Sequence, residues 1–89
     1  MPRNDWRHVA DLPSVRRDVS TEYRMAIVEN DRGFAVEVQK YHHDRREGAW
    51  FKSGAGLTVY ASRIPAVIAA LEGAHRTITS LERAKRQVA

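Results

Sequence analysis

Between residues 23 and 29 the chain alternates in polarity. Tyr23, Met25 and Ile27 fall on one side and Arg24, Ala26 and Val28 on the other, the period-two pattern of a strand. Asn30, Asp31, Arg32 and Gly33 then read as a hairpin turn, because Asn, Asp and Gly tolerate the positive φ of tight turns. Alternation resumes over residues 34–41, with Phe34, Val36 and Val38 opposite Ala35, Glu37, Gln39 and Tyr41. A charged loop closed by Gly48 leads to a short strand over Ala49–Lys52. Ser53, Gly54, Ala55 and Gly56 break the chain, and Leu57–Tyr60 reads as a fourth strand.

The period then changes. Ile64, Val67, Ile68, Leu71, Ala74, Ile78 and Leu81 recur at three- and four-residue steps, one face of a long helix. Ser62 is placed to cap it, and Pro65 sits in the first turn, where no amide hydrogen is needed. Gly73 bends such a helix without ending it, and Arg83, Lys85 and Arg86 suit the negative end of its dipole. Residues 1–20 show no clear period, contain Pro2 and Pro13, and read as a flexible basic tail with an extended piece near 15–19. Within that tail Trp6 is expected to dock on the domain.

The expectation is an α+β domain over residues 21–89. A four-stranded antiparallel sheet is followed by one amphipathic helix, in the order ββββα. The helical stripe is expected to cover one face of the sheet, leaving Glu37, Gln39 and Tyr41 on the bare face. Open sheet edges and a surplus of apolar stripe point to a twofold partner, hence a homodimer. The length agrees, since 89 residues make one domain with a thin core.

Charge narrows the partner. Lys plus Arg number 15 against 11 Asp plus Glu, giving +4. Twelve of the basic residues are arginine, which suits planar, bidentate recognition of phosphate. Residues 21–39 are net acidic, whereas 40–52 and 53–89 are net basic, so positive charge gathers in the second hairpin and along the helix. An anionic partner is favoured, nucleic acid first.

The same hairpin holds Tyr41, His42, His43, Arg45, Arg46, Trp50, Phe51 and Lys52. Val36-Glu37-Val38-Gln39-Lys40-Tyr41, the loop with Asp44 and Gly48, the run 56–59 (GLTV) and the long helix resemble the single-stranded-DNA-binding domain of positive cofactor 4-type transcriptional coactivators. The resemblance spans residues 23–81. It implies a ββββα homodimer that binds single-stranded or unpaired DNA across its sheets, with little sequence preference. It also implies the transcription machinery as a further partner and a cytoplasmic, nucleoid-associated setting. The candidate nucleic-acid contacts are Arg24, Arg32, Gln39, Lys40, Tyr41, His42, His43, Arg45, Arg46, Trp50 and Lys52. Trp50 and Phe51 have opposite strand parity, so one of them should be core.

Three positions depart from the family pattern. Gln39 stands at the basic strand position, His42 follows the tyrosine in place of a bulky aromatic, and Gly54-Ala55 replaces a basic pair. They are the best support for one alternative, a protein-interaction or dimerisation module without a nucleic-acid ligand. An RNA-binding variant of the fold is a second, since nothing in the sequence addresses the sugar.

Other chemistries are disfavoured. Adjacent His42 and His43 point to opposite strand faces, and the chain has no cysteine, which argues against a metal site and rules out disulfides. Lys52-Ser53-Gly54-Ala55-Gly56 lacks the phosphate-loop order and precedes a strand rather than a helix. No serine stands in a recognisable nucleophile–base setting, so neither enzymatic activity nor a cofactor is expected. No apolar run approaches the ~20 residues of a membrane span, and residues 1–13 lack the apolar core of a signal peptide.

Overall fold

The structure is a computed structural model that describes residues 5–88. It is α+β: one antiparallel sheet of six strands followed by one helix. The strands are β1 (Arg7–Asp11), β2 (Val15–Asp18), β3 (Thr21–Asn30), β4 (Gly33–Asp44), β5 (Ala49–Lys52) and β6 (Leu57–Tyr60). The long β3 and β4 pair along their full length, from Thr21 opposite His42 to Asn30 opposite Gly33. Each flank is an edge strand cut in two. β2 and β1 divide β3 between them, while β5 and β6 divide β4.

The four-stranded expectation is therefore corrected to six. The segment expected as a tail supplies β1 and β2, and its residues 1–4 lie outside the described residues. Both strands are short and exposed. The register shifts between His8 and Ala10 and again between Arg16 and Asp18, with Pro13 between the two strands. Each shift inverts the alternation, so no period survives in the sequence.

Three turns use one device. The side chains of Asp18, Asn30 and Asp44 accept the backbone N–H of Ser20, Arg32 and Arg46, two residues on, at 2.9, 2.9 and 2.8 Å. These local bonds replace ladder bonds where the chain reverses. The Ser20 amide also holds the Asp18 carboxyl below its usual range. Gly33 closes the β3–β4 hairpin at φ 126°, and Gly48 closes the β4–β5 turn at φ 65°. At both positions a side chain would be strained.

After β6 a short 3-10 turn, Ala61–Arg63, leads into α1 (Ile64–Val88). Ser62 lies inside that turn rather than capping the helix. Pro65 is the second helical residue, and α1 runs through Gly73 without a break. The expectation that α1 covers the sheet is corrected as well. Ile64 and Val67 are half-buried, whereas Ile68, Leu71, Ile78 and Leu81 are exposed. An apolar groove of about 500 Å³ opens between the first helical turns and the sheet, lined by Met25, Val36, Val38, Leu57, Val59, Val67 and Leu71 among others.

The chain alone has little core. Among the described residues only Val28 and Ala35 are buried apolar side chains. The radius of gyration is 16.9 Å, against about 12 Å for a compact domain of this length.

Candidate nucleic-acid interface

Register sorts the sheet into two faces, because successive side chains alternate. One carries Tyr23, Met25, Ile27, Phe34, Val36, Val38, Leu57 and Val59, and is called the Met25 face. The other carries Glu22, Arg24, Val28, Ala35, Glu37, Gln39, Tyr41 and His43. This is the Tyr41 face, and it is built in three parts.

At the Asn30 end, Trp6 packs on Tyr60 with ring centroids 5.4 Å apart. Asn30 Nδ2 donates to the Tyr60 hydroxyl at 3.3 Å. Tyr60 stands opposite Ala35, so this corner belongs to the small core. Trp6 docks, as expected.

In the middle lies Gln39, which is 6% exposed. Its Nε2 donates to the backbone oxygens of Lys40, Ser53 and Gly54 at 3.1–3.2 Å. It fastens the β5–β6 loop to β4. Gln39 is thus a structural residue and leaves the set of candidate contacts.

At the Thr21 end, four strands contribute one row. Arg16 on β2 faces Glu22 on β3, Glu22 faces Tyr41 on β4, and Tyr41 faces Lys52 on β5. His43 faces Trp50 in the next row of this face, and their rings are 5.0 Å apart. Glu22 holds both arginines. Arg24 Nε donates to Glu22 Oε2 at 2.8 Å, and an Arg16 terminal nitrogen donates to Oε1 at 3.5 Å. The Arg24 guanidinium lies over the Tyr41 ring at 4.1 Å and reaches within 5.6 Å of the Trp50 centroid. Arg16 stands 5.5 Å from Trp50. The result is a surface of guanidinium and aromatic planes with cations at its margin. Such surfaces stack unpaired bases and track phosphates.

No family model, curated protein or solved structure matches the chain.

The predicted residues divide along these lines. Arg24, Tyr41, His43, Trp50 and Lys52 come together on one face. Arg45 and Arg46 join that end of the sheet from the β4–β5 turn. They line a concavity of about 550 Å³ with Val19, Ser20, His42, His43 and Asp44, and the His43 amide donates to the Ser20 oxygen at 2.8 Å. Lys40 points to the Met25 face by strand parity and is not brought in; His42 shares that parity but also lines the concavity with Arg45 and Arg46. Arg32 sits in the β3–β4 turn, at the far end of the ten-residue β3. Neither Trp50 nor Phe51 is core: Trp50 is half-buried on the Tyr41 face, and Phe51 is 45% exposed on the other.

Two members of the cluster escaped the sequence reading. Glu22 was within reach, since extending the parity of Arg24 back by one step places it on the same face. Arg16 was not, because β2 has no readable period. Among the described residues no His, Asp and Glu cluster could hold a metal ion, and no helix is long and apolar enough to cross a membrane.

Proposed function

We propose that this chain is a homodimeric single-stranded-DNA-binding protein of the positive cofactor 4 type, acting as a transcriptional regulator in the cytoplasm, at the nucleoid. The strand crosses the Thr21 end of the Tyr41 face. The observation that carries the reading is the Arg16–Glu22–Arg24–Tyr41–Trp50 cluster, in which guanidinium and indole planes stand beside Lys52. Stacking is tolerant of sequence because every base has a π-face, so little sequence preference is expected.

The second copy is supported by the Met25 face together with the apolar stripe of α1. Among the described residues ten large apolar side chains are exposed in the single chain, including Leu57, Leu71 and Leu81 at 58–65%. That is too much apolar surface for a monomer to leave in water. A partner seated in the groove between sheet and helix covers Val15, Leu57, Ile68 and Leu71 and leaves the Tyr41 face free.

The test is equilibrium binding of labelled oligonucleotides of one length, as single-stranded DNA, duplex DNA and RNA, at two salt concentrations. Tighter binding of single-stranded DNA than of duplex, weakening with salt, is the expected result. Equal binding of RNA makes the protein a general single-strand binder, since no residue of the cluster is dedicated to a 2′-hydroxyl. Absence of binding to all three leaves the interaction module, whose support is the exposed apolar face and the internal use of Gln39.

A further inference from the structure

The proposed single-strand reading leaves open which group meets the base, and the cluster answers this in an unexpected way. Tyr41 does not present a free ring. The Arg24 guanidinium already lies 4.1 Å above it, close to the ~3.4 Å spacing of a stacked nucleotide strand. No base fits between them. Arg24 is also fixed from the side, because its Nε donates to Glu22 Oε2 at 2.8 Å. The Glu22 side chain is 11% exposed, and its second oxygen takes Arg16 at 3.5 Å. One carboxylate therefore orients two guanidiniums and cancels part of their charge.

We infer that Arg24, anchored by Glu22, is the plate on which an unpaired base stacks, with Tyr41 as its backing. The inference rests on the proposed single-strand function. Guanidinium planes stack on bases as aromatic rings do, and an ammonium has no such plane. With its inner face on Tyr41 and its Nε on Glu22, Arg24 offers an outer face whose orientation is set before the ligand arrives. Its side chain is 40% exposed, so Arg24 is within reach of a ligand. Trp50, 5.6 Å from the same guanidinium, forms the side wall. Glu22 is a positioning residue: it touches no base, yet it decides whether Arg24 stays over Tyr41 or turns toward phosphate.

Arg24→Lys keeps the charge and removes the plane, so it separates the two roles. Binding is measured for wild type and variant with a single-stranded oligonucleotide and with an abasic strand of equal length, across a salt series. The variant is expected to lose about five- to a hundredfold in affinity for the normal strand, the range of one base-stacking contact. Its affinity for the abasic strand and its salt slope should stay as in wild type. Glu22→Gln should weaken the normal strand too, while its slope steepens by about 0.7 for each arginine released to a phosphate. A loss of stability alone leaves that slope unchanged, so a steeper slope together with a weaker normal strand reports the release of Arg24 from Tyr41.

Wild-type affinity of Arg24→Lys for the normal strand, or an equal loss on the abasic strand, makes Arg24 a phosphate contact and overturns the plate. An unchanged slope in Glu22→Gln overturns its positioning role. If wild type itself fails to bind single strands, the proposed function falls and this inference with it.

Discussion

A Cβ added to Gly56 would stand 2.5 Å from Gln39 Oε1 and 3.2 Å from the Val38 carbonyl oxygen. The glutamine side chain and the missing side chain of position 56 thus compete for one space. Gln39 occupies it because its amide must reach the Ser53 and Gly54 oxygens to close the β5–β6 loop.

Gly56→Ala should therefore cost roughly 1–3 kcal/mol, the usual price of forcing an extra carbon into a filled site. Gln39→Ala should cost about 1–3 kcal/mol by leaving loop carbonyls unpaired. In the double variant the two losses should add to less than their sum, since removing the glutamine opens room for the alanine. Urea unfolding of the three variants checks this. Strict additivity means that the loop moves away independently of Gln39.

Light scattering at micromolar concentration should return twice the 10.1 kDa chain mass. Leu71 is 65% exposed in the single chain and lines the apolar groove, so Leu71→Glu should leave a lone chain undisturbed. In a dimer it buries a charge at the contact. The expected outcome is dissociation to monomers and a lower melting temperature. A Leu71→Glu dimer as tight as wild type places the contact on another surface.

Lys40 and Lys52 give a paired test of which face meets the strand. Lys52 lies in the row of Tyr41, and Lys40 points to the Met25 face opposite Tyr23. Lys52→Ala should flatten the slope of log K against log salt by about 0.7, one phosphate contact on a single strand. Lys40→Ala should leave it unchanged. The reverse pattern moves the nucleic acid to the Met25 face.

Strand parity in β3 and β4 was legible in the sequence, residue for residue. Met25, Val36 and Val38 share one face and Arg24, Gln39 and Tyr41 the other, because alternation is a local property of extended backbone. The bounds of β5 and β6 and the continuity of α1 through Gly73 were readable for the same reason, from turn residues and helical period. β1 and β2 were not, since their register shifts erase the period and only pairing to β3 holds them extended. The parity of Trp50 relative to Tyr41 was also hidden, because it depends on how the β4–β5 turn sets the register. Local sequence thus determined which side chains share a face within each strand. Tertiary structure alone decided that Arg16, Glu22, Arg24, Tyr41 and Trp50 meet, because register between strands, unlike alternation along one, is set by turns and by long-range pairing.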